Sequence, residues 1–320
     1  MKALLAGLSA MMLCAAPVAS QAQTYPQREI TVVVGLPAGS GGDVVARYYA
    51  DQLSRLAGVP AIVENRPGMI LSLGAAAVAK AKPDGYTILV TSISSSHAAN
   101  QFMFKSLPYD PVKDFIPVAT LQQSYFLLMV RPQSWDTVAD LTKAMKKKGK
   151  KASYGYGSPP ALASAELYKA HTGIEAVRVP YKTSMASLPE MYRGDLDFQF
   201  IDGTQGTPLR EAGKLRALAV TASKRIPGVD LPTMAESIGL PEFDITPTWG
   251  VFLPVGVPEP IVAQLETWFL QITKLDATRK FLANTHAASF PGDRTAAARF
   301  LKAEVEKWRK LSEIAQFEKQ

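Results

Sequence analysis

Residues 30–43 read Ile30-Thr31-Val32-Val33-Val34-Gly35-Leu36-Pro37-Ala38-Gly39-Ser40-Gly41-Gly42-Asp43. The opening run, Ile30 to Leu36, is apolar and β-branched without alternation, the pattern of a strand covered on both faces. Pro37 to Gly42 is a Gly-rich turn. Asp43 to Leu56 then carries apolar Val44, Val45, Tyr48, Ala50 and Leu53, which predicts a helix. Asp43 is expected to cap it. A Gly-rich turn between a strand and a helix lets the backbone approach a ligand and present N–H groups, and the helix start adds partial positive charge. The turn therefore suits an anion, or it is a plain tight turn. No Lys-Ser/Thr pair follows the glycines and their spacing is not that of a dinucleotide fingerprint, so neither a P-loop nor a nucleotide fold is implied.

The same grammar recurs outward from this segment. Short strands are predicted at Ala61 to Val63, Tyr86 to Thr91, Phe126 to Val130, Ala176 to Val179, Asp197 to Ile201 and Leu215 to Thr221. Helices are predicted at Leu73 to Ala81, Asp136 to Lys146, Leu162 to Thr172, Met185 to Tyr192, Pro260 to Leu275 and Arg294 to Ile314. Strands alternating with helices define an α/β protein. Ser92 to Ser96 reads as a polar loop. The chain has 320 residues, which suits two domains. Its 47% hydrophobic and 20% charged content excludes a disordered chain. The net charge of +7 admits anionic partners, nucleic acid among them.

Residues 1–22 read as a signal peptide. Lys2 precedes an apolar stretch from Ala3 to Ala19, and Ser20-Gln21-Ala22 offers small residues for cleavage after Ala22. Cys14, the one cysteine, lies inside this segment, so the remaining chain would contain no disulfide. No other stretch reaches the length of a membrane span.

Further along come Glu64-Asn65-Arg66-Pro67-Gly68, Lys82-Pro83-Asp84-Gly85-Tyr86-Thr87, Leu107-Pro108-Tyr109-Asp110 and Asp114-Phe115-Ile116-Pro117-Val118. These are followed by Val179-Pro180-Tyr181-Lys182, Gly194-Asp195-Leu196-Asp197, Gly213-Lys214-Leu215-Arg216-Ala217-Leu218-Ala219-Val220-Thr221, Leu231-Pro232-Thr233-Met234-Ala235-Glu236 and Trp249-Gly250. This ordered set, from Tyr25 to about Lys310, closely resembles the solute-binding receptors of tripartite tricarboxylate transporters, the Bug family. The resemblance implies a type II periplasmic binding protein. Two α/β domains would be joined by crossing strands near Leu121 to Tyr125 and Thr246 to Val251. Residues 23–123 and 246–320 would form the first domain and 124–245 the second, with the C-terminal helices returning to the first. A ligand would lie between the domains.

The resemblance also implies the ligand: a small organic carboxylate, captured outside the cytoplasm in the periplasm and handed to membrane permease subunits. No metal or cofactor is implied, the lack of a catalytic constellation argues against an enzyme, and a monomer is expected because the binding mechanism needs no partner. A ligand sensor for a membrane kinase and a secreted enzyme on a similar fold are the alternatives. Carried over residue by residue, the first wall comprises Ala38, Gly39, Ser40, Gly41, Gly42 and Asp43, then Met69 and Ile70, then Ser94, Ser95 and His97. The second wall comprises Tyr156, Gly157 and Ser158, then Tyr181, Thr183 and Ser184, and Asp202 within a matching stretch from Ile201 to Thr204.

Departures from the family pattern matter. Met69-Ile70-Leu71 stands where small residues usually leave room, and Tyr156 where serines are common. The wall is thus expected to be apolar and the cleft small, favouring an aromatic or short aliphatic monocarboxylate over a tricarboxylate. Alternatively, residues 69–71 turn into the core and leave the cleft unchanged. Asp202, where Asn is frequent, is expected either to accept a hydrogen bond from a ligand hydroxyl or amine or to repel an acid. The run Lys146-Lys147-Lys148-Gly149-Lys150-Lys151 lacks interleaved aromatics and reads as a solvated loop rather than a nucleic-acid surface. His97, His171 and His286 have no metal-ligand spacing. Serines 94 to 96 have no His placed as a base and no nucleophile elbow around them.

Overall fold

A computed structural model describes residues 25–226 and 228–315, together with Lys319. The signal-peptide reading of residues 1–22 lies outside them. Up to the first crossing the chain runs β1 (Ile30–Val34), α1 (Gly41–Ala57), β2 (Ala61–Asn65), α2 (Ser72–Ala79), β3 (Thr87–Ser92), a π-helix (Ile93–Ala99), α3 (Asn100–Met103) and β4 (Phe115–Gln123). It continues through β5 (Phe126–Val130), α4 (Val138–Lys148), β6 (Ser153–Tyr156), α5 (Pro159–Thr172), β7 (Val177–Pro180), α6 (Leu188–Arg193), β8 (Phe198–Asp202), α7 (Gly203–Glu211), β9 (Arg216–Val220) and α8 (Met234–Ile238). Last come β10 (Thr248–Pro254), α9 (Glu259–Thr273), α10 (Asp276–Asn284), β11 (Ala288–Gly292) and α11 (Arg294–Ala315).

Two sheets result. The first has the order β11-β4-β10-β3-β1-β2, the second β7-β6-β8-β5-β9. In the first, β1 pairs in parallel with β2 and β3, while β10 lies antiparallel between β3 and β4. In the second, β6 pairs in parallel with β7 and β8, and β5 lies antiparallel between β8 and β9. Each domain thus repeats one plan: a second strand, a first, a third, then a strand that has just crossed from the other domain, then a fourth. This is the two-domain α/β architecture of a type II periplasmic binding protein. The unbroken β-branched run of β1 is explained by its place: flanked by strands on both edges and covered on both faces, Val32, Val33 and Val34 have 1% exposure or less.

The chain leaves the first sheet after Gln123 and enters the second at Phe126. It returns through residues 245–248, where the Ile245 N–H still bonds the Thr221 carbonyl (3.1 Å) and Thr248 opens β10. The two crossings touch, with the Ser124 N–H donating to the Pro247 carbonyl at 2.9 Å.

Three expectations need correction. The serines after β3 are not a loop but a buried seven-residue π-helix. A short strand, β11, was missed and edges the first sheet. The C-terminal helices do not return to the first domain alone. Helix α9 packs on α1 and β4, but α11 packs on the π-helix and β4 on one side and on α5 of the second domain on the other. Its Trp308 and Leu311 belong to one apolar cluster with Ala98, Ala99 and Met103 from the first domain and Ala161, Leu162 and Tyr168 from the second.

Candidate ligand-binding site

Helices α1, α5 and α7 begin where β1, β6 and β8 end. The carboxyl ends of strands beside a topological switch are where open α/β sheets hold ligands. The helix starts there carry free N–H groups and partial positive charge.

At α1 the cap is Ser40, not Asp43 as expected. The helix starts at Gly41, and the Asp43 N–H donates to Ser40 Oγ at 3.3 Å. Asp43 sits in the first turn, 3% exposed, and its carboxylate faces inward. It accepts from the Gly39 N–H (2.9 Å), Arg47 Nε (2.9 Å) and Asn65 Nδ2 (2.8 Å). Burial would raise its carboxyl, but hydrogen bonds from Arg47, Gly39 and Asn65 outweigh it and hold the group below the usual range. Asn65 also donates to the Leu36 carbonyl at 2.9 Å, fastening the end of β2 to the turn. Asp43 is therefore a scaffold for the loop. Left over are the N–H groups of Gly41 and Gly42, which have no acceptor among the described residues. Gly42 must be glycine, since a Cβ would lie 2.3 Å from Leu36 Cδ1 and 2.5 Å from Trp249 Cη2.

The neighbouring loop is unusual. Met69, Ile70 and Leu71 have φ of 42°, 50° and 70° in succession. Non-glycine residues rarely adopt such angles, and a β-branched one such as Ile70 is an outlier. Asn100 Nδ2 holds the turn, donating to the Ile70 carbonyl (2.6 Å) and Ser72 Oγ (2.9 Å). The two alternatives for this loop are both partly realised. Leu71 turns into the core at 4% exposure, Met69 stays 39% exposed, and Ile70 packs against the apolar cluster shared by both domains, as Tyr156 does from the other wall. Met69→Gly is expected to raise unfolding free energy by about 0.5–1 kcal/mol, the left-handed penalty less the entropy of glycine. Urea unfolding would show it, and a loss of stability would mean that the backbone there is unstrained.

Ser94, Ser95 and His97 point inward, each 4% exposed or less. Ser94 ties the π-helix to the second crossing, donating to the Thr246 carbonyl (3.5 Å) and accepting from the Thr248 N–H (3.4 Å). Ser95 Oγ accepts from Ser92 Oγ at 3.3 Å. The His97 ring stacks on Phe252 at 4.0 Å, with Phe115 edge-on at 4.7 Å, and its Nδ1 meets Ser96 Oγ at 2.8 Å. The residue singled out as a ligand contact is thus a core histidine. Burial pushes its pKa down to about 3. The unfolded chain binds a proton near pH 6.5 where the folded one does not, so stability is full above pH 6.5 and falls as pH drops from there towards 3. At pH 5 this contributes a loss of about 2 kcal/mol relative to pH 7. The difference should shrink by that amount in His97→Gln. An unchanged slope would show that His97 titrates normally in the fold.

On the second wall, Ser158 caps α5, its Oγ accepting from the Ala161 N–H at 3.4 Å. A Cβ on Gly157 would lie 2.2 Å from backbone atoms of Thr183 and Ser184, so this loop and the 183–184 loop are in direct contact. The Tyr181 hydroxyl donates to Glu190, and its phenol is pushed up to about 12, burial being the largest cause. Tyr181 is occupied within its own wall. Asp202 caps α7. Its Oδ1 accepts from the Thr204 N–H (2.9 Å) and hydroxyl (2.7 Å), and Oδ2 from Ser124 Oγ (3.1 Å) in the first crossing. Burial raises its carboxyl above the usual range. These bonds, rather than a ligand hydroxyl, occupy it.

The walls meet at α1 and α7. Thr204 Oγ1 lies 2.8 Å from the position a Cβ on Gly41 would take. The first turns of the two helices, one from each domain, therefore face each other across the gap. Thr204 was expected on this wall only as the end of the stretch 201–204, and Ser124 only as part of the first crossing. Among the described residues no three His, Cys, Asp or Glu side chains cluster as a metal site, and no helix is long and apolar enough to cross a membrane.

A pair of α/β domains with strand crossings beneath facing helix starts is the plan of a periplasmic solute-binding protein. Residues 45–316 match the tripartite tricarboxylate transporter family receptor, and the chain belongs to that family. Its members are solute-binding receptors, not enzymes. The protein BugT of Bordetella pertussis is 31% identical over 301 residues, 92% of this chain and 90% of BugT. Among solved structures, Rpa4515 of R. palustris with adipate superposes with a TM-score of 0.86 at 32% identity, covering 92% of this chain and all of that one. MatC of Rhodopseudomonas palustris with bound malate gives 0.81 at 29% identity, covering 90% and 99%.

Proposed function

We propose that this protein captures a small organic carboxylate between its two domains and hands it to a membrane permease. The observation that carries this is that the N–H groups of Gly41 and Gly42 have no acceptor among the described residues, at a helix start where Gly41 itself faces Thr204 of the other domain. Ser40 and Asp43 satisfy the rest of the turn from within, so these donors are free for a ligand oxygen. The adipate and malate in the similar structures support the ligand class. Ile70 and Tyr156 are half-buried against the apolar cluster that the domains share; in this reading what they leave uncovered borders the cleft from either wall and favours an acid with a hydrocarbon or aromatic body over a tricarboxylate. In this reading residues 1–22 are removed on export, and 23–123 with 246–293 move against 124–245 as the cleft closes, about the apolar cluster that α11 shares with both domains.

A thermal-shift screen tests it, with aromatic, aliphatic mono-, di- and tricarboxylic acids beside their amides. An acid at 100 times its Kd stabilises by about 2.7 kcal/mol. The expected result is a raised Tm with an apolar acid and none with its amide. Equal shifts with acid and amide would reject carboxylate capture, and citrate as the best ligand would reject the apolar wall.

A further inference from the structure

Over much of the surface a cation lies beside an acid, as in Arg28 with Asp84, Arg55 with Asp51 and Arg225 with Glu236. The end of α4 departs from this. Lys143, Lys146 and Lys147 stand on its last turns, and Lys150 and Lys151 follow in a 3-10 turn. All are exposed, and none has an ion-pair partner among the described residues, whereas Lys148 is matched by Asp197. A helix C-terminus tolerates cations in its last turn, but Lys150 and Lys151 lie beyond it.

Beside these lysines is a groove of about 510 Å³ between α4, the end of α5 and α8. Lys143, Lys146 and His171 line it, and none of its lining residues is acidic. Its place in the fold is informative. Helix α5 runs from Ser158 at the cleft to Thr172 at the groove, roughly 20 Å for its 14 residues. The groove is therefore at the pole of the second domain away from the cleft, reachable whether the cleft is open or closed.

We propose that this groove docks an acidic segment of a partner protein. A shallow, open groove edged by Lys143, Lys146 and His171, with no acid in its lining, suits an extended acidic chain lying along it, whereas a bilayer would need only a flat charged face. This inference does not depend on which ligand the cleft holds.

The test is binding of a fluorescein-labelled hexaglutamate peptide to the purified protein, read by anisotropy. The peptide should bind, weaken steeply with added salt, and lose at least ~10-fold in affinity in the triple variant Lys143→Gln, Lys146→Gln, Lys147→Gln. Lys80→Gln with Lys82→Gln and Lys105→Gln, the same loss of three charges on exposed residues of the first domain, should cost less than ~2-fold. Ala139→Trp, an exposed position lining the groove, should weaken binding without altering charge. Absence of binding, equal losses from both lysine sets, or phosphatidylglycerol vesicles captured with Ala139→Trp having no effect would each overturn the proposal.

Discussion

Gly41→Ala should lower affinity for the captured acid by about 100-fold, near 3 kcal/mol. The added methyl would sit 2.8 Å from Thr204 Oγ1, a separation that real Cβ atoms essentially never show. Thr204 cannot simply turn aside, because its hydroxyl is bonded at 2.7 Å to Asp202, whose other oxygen is held by Ser124 in the crossing strand. Relief must come from breaking that chain or from moving the domains apart, and the latter removes one wall from the ligand. Calorimetry with the best acid from the thermal screen would measure the loss, and small-angle scattering would show a larger radius of gyration. Adding Thr204→Ala should restore most of both. Unchanged affinity and size in Gly41→Ala would mean that the helix starts do not approach each other in solution. An opening that Thr204→Ala fails to reverse would place the contact elsewhere.

Trp308→Ala should cost about 3–5 kcal/mol of unfolding free energy, the range for deleting a buried tryptophan. Trp308 is 1% exposed and packs in the cluster built from α11, the end of the π-helix and α3, and α4, α5 and the second sheet. The cavity would open where the two domains share a core, so neither domain could collapse onto it without shifting against the other. Urea unfolding should keep a single transition with a lower midpoint. A cost below about 1 kcal/mol would show that α11 is not joined to the second domain by this side chain.

The parts that were legible are those governed by local chemistry. The run Ile30 to Leu36 announced a covered strand because continuous β-branched residues fit few other places, and the Gly-rich turn marked the start of α1. The ordered short motifs identified the family and, through it, the crossing strands. What escaped depends on contacts between distant residues. Asp43 was placed one turn too early, because Ser40 and Asp43 are both acceptable caps and the choice rests on Asn65 and Arg47. The serines after β3 read as solvated, yet their hydroxyls are satisfied internally by Thr91, Ser92 and Thr246. A π-helix has no periodic signature that would expose this. Met69 to Leu71 gave no warning of positive φ, which only the clamp from Asn100 explains. Helical spacing showed that α11 had an apolar face but not that two domains share it. Thr204 was placed on the opposite wall by the resemblance, but its approach to Gly41 depends on how the two domains sit and left no mark in the sequence.

The position of β10 bears on the order in which the chain acquires its structure. Its partners β3 and β4 end at Ser92 and Gln123, whereas β10 itself begins only at Thr248, after the whole second domain. Until that strand appears, β3 and β4 face each other with a gap between them, and the first sheet is in two pieces. Closing contacts over so long a stretch of chain is slow, because loop entropy must be overcome before the pairing is rewarded. The second sheet, whose strands β5 to β9 are contiguous apart from their helices, has no such wait, although α11 completes the core beneath it last. Its strands should pair first, although they are synthesised later than most of the first sheet, and the first sheet stays in two pieces until the last quarter of the chain arrives.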